Sequence, residues 1–350
     1  MKCIYHFDAD GKCAGWLVYA WVKEHGGNPK PEDFIKMTSY STPIDLEKLV
    51  SKDEEVWIVD FSLPVNRMRD LLNITENVYW FDHHASAINR YESAKDILAK
   101  IKGVRDIKYS GCGLVMRWIA GHDYTEIPEY FKYGEIEFLD KIPEYVALIE
   151  DYDIWKKQYG KRSNAMSISV SGDGIYEPWD EERWSLLSYK EGLEAALSKG
   201  YAVCDYRTEM GKMMAATYGF ELEIEGMHCY IMNMALAGSQ WFGEDDMEEK
   251  YDMLIRYVYN GKIDMYEYSL YSANPNVNCA VIAERYGGGG HKGAAGFASR
   301  FPIKFSKGND KFPFDTIENH EKLKNSLNRW IQMNKDCVDS SGKVTELTSE

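Results

Sequence analysis

An α/β fold is predicted for this chain: a doubly wound parallel sheet, followed by a smaller mixed α+β domain. Three observations predict it. Short apolar runs alternate with helix-length segments up to about residue 155, which is the signature of βαβ units. Three of those runs, at residues 2–5, 56–59 and 78–81, lead directly into carboxylate and imidazole side chains. After Gly219 the period shortens to that of strands, with turns at Glu225-Gly226 and Asn260-Gly261; Asn-Gly is a strong hairpin signal.

The elements follow in order. Residues 2–7 read as a strand and 14–22 as the helix after it, stopped by Gly26-Gly27-Asn28-Pro29. Residues 34–40 read as a second strand, 45–50 as a short helix, and 56–61 as a third strand. Residues 66–73 are helical and 78–81 form a fourth strand. Ser110-Gly111-Cys112-Gly113 opens a further helix, and 143–151 forms another, which runs out in Glu150-Asp151-Tyr152-Asp153. Residues 156–182, with Gly160, Gly172, Gly174 and Pro178, read as loop. Helical periodicity returns over 189–218 and is expected to bridge two halves. Strands are expected at 220–224, 228–233, 251–259 and 265–272, a helix at 277–286, and a last amphipathic helix at 316–335 before a polar tail. The expected domains are therefore 1–185 (metal-binding), 186–218 (connecting helix), 219–312 (substrate-binding) and 313–350 (terminal helix and tail), with a cleft between the two globular parts.

Bulk properties narrow the function classes. The net charge of −15 opposes binding to long duplex DNA, which needs many phosphates neutralised by Lys and Arg. It does not oppose a small phosphate ligand, because bound divalent cations can supply the local positive charge. The seven cysteines include no Cys-x-x-Cys pair, so a zinc knuckle is not expected. Their odd number and scatter, with no recognisable leader, fit reduced thiols in a cytoplasm. No apolar run reaches the length of a membrane span, so no membrane partner is expected.

The strand ends carry the chemistry. His6, Asp8, Asp10, Asp60, Asp82, His83 and His84 are all oxygen or imidazole donors, the set preferred by Mn²⁺ or Mg²⁺ over a thiolate-bound metal. So many carboxylates would repel one another without cations between them. One ion needs three or four protein ligands, so this number of donors indicates two ions, roughly 3.5–4 Å apart, as in sites that activate water against phosphorus. The run Gly287-Gly288-Gly289-Gly290-His291 allows backbone amides to approach an anion without obstruction from side chains.

Four motifs in this order, His6-x-Asp8-x-Asp10-Gly11, Asp60, Asp82-His83-His84 and Gly287-Gly288-Gly289-Gly290-His291-Lys292-x-Ala294-Ala295-Gly296, resemble the DHH phosphoesterase superfamily with its DHH-associated C-terminal domain. The resemblance spans about residues 1–300. It implies that His6 and Asp8 hold a first Mn²⁺, Asp10 and His83 a second, and Asp60 both. It also implies a carboxylate from a later helix. Asp151 is preferred to Asp153 there because it directly follows the run Val146-Ala147-Leu148-Ile149-Glu150. Asp82 is expected to orient an imidazole, and His84 to stand at the scissile phosphate as hydrogen-bond donor or general acid. Gly288, Gly289, Gly290, His291, Lys292 and Ala295 are the implied substrate-binding residues. One position departs from the family: where related enzymes often place an arginine in the strand before the helix at 277–286, this chain has Tyr271; Arg285 reads as a solvated helix end, with a substitute cation as the alternative.

The implied activity is Mn²⁺-dependent hydrolysis (Mg²⁺ being the other candidate ion) of short oligonucleotides from one end, or of small nucleotides such as cyclic dinucleotides or 3′-phosphoadenosine 5′-phosphate. A homodimer stays open. Two alternatives are an inorganic pyrophosphatase of the related family and a catalytically silent nucleotide-binding protein. The glycine-rich loop with its histidine weighs against the first, and the complete donor set against the second.

Overall fold

The computed structural model describes residues 1–38, 44–122, 142–236, 238–242, 247–272 and 274–300. The expected terminal helix at 316–335, the tail, and the end of the substrate-binding domain beyond 300 lie outside the described residues. The chain divides into two compact units, Met1–Gly211 and Lys212–Glu350.

The first unit begins with strand β1 (Lys2–His6) and helix α1 (Ala9–Glu24), then β2 (Phe34–Met37), the single turn α2 (Leu46–Leu49), β3 (Val56–Val59), α3 (Val65–Ile74) and β4 (Val78–Phe81). The four strands form one sheet in the order β2-β1-β3-β4, every pair parallel. Strand alternation then decides which side chain packs where. Cys3, Tyr5, Trp57, Val59 and Phe81 face one core, and Ile4, Val56, Ile58, Val78 and Trp80 face the other. With both faces covered, the strands can be almost wholly apolar, and β3 is buried at every position. Trp57 stacks on Tyr79 at 4.3 Å and meets the edge of Trp118 at 5.6 Å, contacts worth about 0.5–1.5 kcal/mol each beyond burial.

The rest of this unit is helical: the short α4 (Ala85–Arg90) and α5 (Lys95–Leu98), then α6 (Gly111–His122), α7 (Glu144–Asp153), α8 (Lys161–Val170), α9 (Glu181–Leu186) and most of α10 (Lys190–Tyr218), whose last turns belong to the second unit. Helix α8 lies inside the stretch expected to be loop. Its Ser163-Asn164-Ala165-Met166-Ser167-Ile168-Ser169 sequence has poor helix propensity and no wide apolar stripe. Burial overrides this: Ser163 through Val170 is buried apart from Asn164, and Ser169 Oγ donates back to the Met166 carbonyl at 2.9 Å. The fully buried Lys12 ties the following segment to α1, its ammonium donating to the carbonyls of Gly172 and Ile175.

The second unit comprises β5 (Gly219–Ile224), β6 (Met227–Asn233), the turn α11 (Met247–Lys250), β7 (Met253–Asn260), β8 (Met265–Tyr271), α12 (Cys279–Glu284), β9 (Gly289–Gly290) and β10 (Ala294–Ser299). Its strands run β5-β6-β7-β8-β10-β9, with only β6 and β7 parallel, the mixed α+β arrangement expected. Glu225-Gly226 is a tight turn with both residues left-handed, suited to a two-residue hairpin. Asn260-Gly261 instead opens a four-residue connection, because Asn260 pairs with Met265. No helix among the described residues is long and apolar enough to cross a membrane, and the described cysteines are free and buried.

Gly200 of α10 packs against α8 so closely that an added Cβ would lie 1.9 Å from the Ala165 carbonyl oxygen. Gly→Ala in a helix ordinarily gains about 1 kcal/mol. Here the clash wins, and Gly200→Ala is expected to cost about 1–3 kcal/mol, seen as a lower urea midpoint at unchanged slope.

Candidate metal centre

Because β1, β3 and β4 are parallel and in register, with Ile4 opposite Ile58 and Val59 opposite Phe81, their carboxyl ends open at one edge of the sheet. The chain leaves β1 for one side of the sheet and β3 for the other. That reversal makes the crevice where open α/β sheets bind ligands. His6 ends β1, Asp60 follows β3, and Asp82-His83-His84 follows β4.

Asp8 caps α1, accepting from Gly11 N at 2.9 Å, and also approaches His6 Nδ1 at 2.7 Å. Asp10, one turn into α1, takes hold of the start of α6: it accepts from Ser110 Oγ at 2.7 Å, Gly111 N at 2.6 Å and Cys112 N at 2.9 Å. A carboxylate at a helix N-terminus is favoured by the exposed amides and the dipole. Gly111 has to be a glycine, since a Cβ there would lie 2.6 Å from the Asp60 Cβ. Asp60 has a left-handed backbone (φ 51°), which costs a non-glycine residue of order 1 kcal/mol, and its amide continues the sheet ladder to the Phe81 carbonyl at 2.9 Å.

Asp60 sits between two donor sets. Its Oδ2 lies 3.5 Å from His6 Nδ1, and its Oδ1 lies 3.2 Å from His83 Nε2. Ligand atoms of His6, Asp8 and Asp60 fall within 4.8 Å of one another, as do those of Asp10, His83 and Asp153. Asp82 is buried and accepts from His84 Nδ1 at 2.7 Å, from the amides of His83 and His84, and from Ser62 Oγ. That makes it an anchor for the His84 ring.

The electrostatics show what the cluster lacks. Burial, reinforced by Asp8 and Asp10, pushes the Asp60 carboxyl well above the usual carboxylate range, and burial with Asp10 does the same to Asp153. Burial would lower the pKa of His6, but Asp8 and Asp60 override it and push it up to about 12. Burial also opposes the charged form of His83, and Asp153 and Asp10 override it in turn. Asp82 behaves oppositely to Asp60: despite burial, the bonds from His84 and Ser62 hold it at about 2. Asp60 Oδ2 and Asp153 Oδ2 are buried without a hydrogen-bond partner among the described residues. Buried, unsatisfied carboxylate oxygens beside imidazole nitrogens fit hard divalent cations.

The structure thus brings together His6, Asp8, Asp10, Asp60, Asp82, His83 and His84. It does not bring Asp151 into that group; Asp153 stands there, 3.2 Å from His83 Nε2. Helix α7 continues to Asp153, so the last turn presents the later residue to the cluster. Asp151 is buried elsewhere, accepting from Gln158 N, Tyr159 N and Ser163 Oγ at 2.9, 3.2 and 2.5 Å. Ser62, Ser110 and Glu150 escaped the sequence reading of the site. Of these, Ser110 had a legible signal, because a serine before a helix start reads as a cap.

In the second unit, Gly289 and Gly290 form strand β9, paired with Gly296 and Ala295 of β10. His291 N donates to the Ala294 carbonyl at 2.7 Å, and the Lys292 carbonyl accepts from Cys279 N at 2.9 Å. Gly288 leaves no room for a side chain: a Cβ would lie 2.1 Å from the Gly296 oxygen. Tyr271 accepts from Gly238 N at 2.7 Å through its hydroxyl, and Arg285 pairs with Glu225 at 3.2 Å. The buried cation of this sheet is Arg256, which donates to the carbonyls of Met234 and Ala235.

No protein-family model matches the chain. An uncharacterised protein of Acanthamoeba polyphaga mimivirus is 23% identical over 336 residues, covering 90% of this chain and 70% of that protein. Among solved structures, the chain is similar to the DHH domain of a member of a ribosomal-protein family, with TM-score 0.56 and 13% identity over 93% of this chain and 85% of the other. It is also similar to a pGpG-specific phosphodiesterase from Vibrio cholerae, with TM-score 0.49 and 12% identity over 95% of this chain and 99% of that one. What the likeness shows is the fold: a parallel α/β unit followed by a mixed sheet, similar to that of the DHH-domain structure.

The two aspartates of α7 separate experimentally. In EDTA, Asp151→Asn is expected to lose about 1–3 kcal/mol, because three donors lose a charged acceptor, while Asp153→Asn is no less stable than the parent. Adding Mn²⁺ should raise the melting temperature of Asp151→Asn as much as the parent's and raise that of Asp153→Asn by less, both read by thermal unfolding.

Proposed function

We propose that the protein is a two-metal phosphoesterase of the DHH superfamily that hydrolyses short oligonucleotides from an end, or small nucleotides, with Mn²⁺ as its preferred cation. One observation carries the reading: Asp60 presents one carboxylate oxygen towards His6 and the other towards His83. His6 and Asp8 with Asp60 would hold one ion; Asp10, His83 and Asp153 with Asp60 would hold the other. Bound there, the ions would supply a water-derived nucleophile at neutral pH and neutralise charge on the phosphoryl oxygens.

The chain's own residues do the rest. Asp82 accepts the Nδ1 proton of His84 and fixes its ring; as an imidazolium the ring would hand its Nε2 proton to the substrate and be left neutral with Nδ1–H still on Asp82. Ser62 holds Asp82 in place from behind. In the second unit, the Gly288–Gly290 segment, with His291 and Lys292 beside Ala295, would grip phosphate; the Gly288 amide itself donates to the Ala283 carbonyl at 3.0 Å. A Mn²⁺ screen of dinucleotides, longer single strands, cyclic dinucleotides, 3′-phosphoadenosine 5′-phosphate and pyrophosphate tests the reading. Hydrolysis of none of them would sink it in favour of a silent nucleotide-binding protein, and hydrolysis of pyrophosphate alone would favour the pyrophosphatase.

Asp60→Ala is expected to abolish turnover and to weaken Mn²⁺ binding measured by calorimetry, since one carboxylate serves both ions. His291→Ala should keep Mn²⁺ binding and lower kcat/KM in the same assays. Near-normal turnover by the first, or unchanged kinetics in the second, contradicts these roles.

Mn²⁺ uptake should also release protons. His6, with its pKa at about 12, carries a proton throughout the neutral range and has to lose it to become a ligand. Affinity should therefore rise with pH between about 6 and 8, by roughly tenfold per unit for each proton displaced, with acid appearing in weakly buffered titrations. A pH-independent affinity would exclude His6 as a ligand.

A further inference from the structure

We propose that residues 155–160, together with Tyr109, form a subsite for the part of a single-stranded substrate lying beyond the scissile phosphate: Trp155 and Tyr109 receive bases, and Lys156 and Lys157 receive phosphates. The inference rests on the phosphoesterase reading and narrows its substrate to chains of at least two nucleotides.

The first observation is backbone strain held by an anchor. Two residues after Asp153 the chain becomes left-handed at Trp155 (φ 57°), and again at Lys157 (φ 52°) and Gly160 (φ 53°). Bulky residues rarely adopt this conformation, and such outliers persist only where the surroundings over-determine them, often at ligand clamps. Here the surroundings are Asp151. Its buried carboxylate takes the amides of Gln158 and Tyr159, and its carbonyl accepts from Lys156 N at 3.1 Å.

The second observation is what this backbone displays. Trp155 is half-buried, with Lys157 Nζ 4.4 Å from its ring centroid. Lys156 Nζ reaches 5.8 Å from the Tyr109 centroid, and the Arg117 guanidinium stacks on the same ring at 3.8 Å. Arg117 is spent on Glu150, which accepts two bonds from it at 2.8 and 3.0 Å. Lys156 stands 4.0 Å from Glu150, with 41% of its side chain exposed. Tyr109 directly precedes Ser110, whose hydroxyl donates to Asp10 at 2.7 Å.

These rings and cations therefore adjoin the metal cluster along the chain from two directions, through Asp153 and through Ser110. A chain with net charge −15 has gathered cations over aromatic faces beside its most acidic site. Aromatic rings that stack on bases, alternating with cations that follow the backbone, are the means by which proteins hold single strands without reading sequence. Pyrophosphate and inorganic polyphosphate offer no base to such rings.

The test compares the parent with Trp155→Leu and with the double variant Lys156→Gln/Lys157→Gln, after confirming that each unfolds at the parent's temperature. With Mn²⁺, kcat/KM is measured on a five-nucleotide single strand and on bis(p-nitrophenyl) phosphate, which has neither nucleobase nor second phosphate. The loss on the strand should exceed the loss on the small diester by about tenfold or more, mainly through KM. Separately, binding of a fluorescein-labelled, phosphorothioate-linked five-nucleotide strand is followed by anisotropy against salt. The double variant should lower the slope of log affinity on log salt by about 1.4, the contribution of two phosphates on a single strand. Equal losses on both substrates, or an unchanged salt slope, would overturn the subsite. Failure of the parent to cleave either substrate would overturn the phosphoesterase reading instead, while the anisotropy series would still decide the subsite. Should Trp155→Leu fail to fold, the exposed lysine pair carries the test alone.

Discussion

Negative charge forced together at the tips of three parallel strands is the constraint from which the rest of the first unit follows. Asp8, Asp10, Asp60 and Asp153 converge where the sheet opens, and the burial of Asp10 and Asp60 limits how far water can screen them. Two imidazoles offset part of this charge, which is why His6 and His83 hold protons so firmly, while Asp60 and Asp153 still resist ionisation. Such an arrangement costs stability, and ordinary ion pairing does not repay it. A cation in each donor set would turn every one of these penalties into an attraction. The cluster therefore suits ions better than it serves the fold's own stability.

The surrounding structure keeps the donors from relaxing apart. Asp10 is fixed by the start of α6, and α6 can come that close only because residue 111 lacks a side chain. Asp60 is held left-handed by its place in the sheet ladder. Asp82 is locked by two backbone amides, a serine and an imidazole. Asp60 and Asp82, each within one residue of a strand end, have opposite protonation behaviour because one is surrounded by carboxylates and the other by donors. That contrast separates a carboxylate suited to a cation from one that anchors a histidine ring.

How much of this was legible depended on whether a position was set locally. The strand ends were, because an apolar run that stops in Asp or His announces itself in sequence. So were the doubly wound sheet, the mixed second sheet and the long helix α10. The choice between Asp151 and Asp153 was not local. It turns on where α7 unwinds and on α8, a helix with three serines and an asparagine in its ten residues that is nonetheless mostly buried. With α8 unseen, the buried partner that claims Asp151 was unseen as well, and the residue nearer the apolar run looked the better ligand. Ser62 carries no signal of its own; only the fold brings it against Asp82.

The glycine-rich segment shows how one sequence feature can answer to two causes. Read alone, its four glycines suggest a bare loop open to an anion. In the sheet, Gly288 and Gly290 are required by contact with β10, where any side chain would strike Gly296 or Ala295, whereas Gly289 has open space around its Cα. Packing thus accounts for two of the glycines, and for Gly289 it gives no reason to forbid a side chain. A strand position that stays glycine without a steric cause weakens the strand through lost conformational entropy. That cost is understandable where a ligand must reach the backbone. Gly289, rather than the run as a whole, is therefore where the phosphate-binding role proposed for this segment would rest.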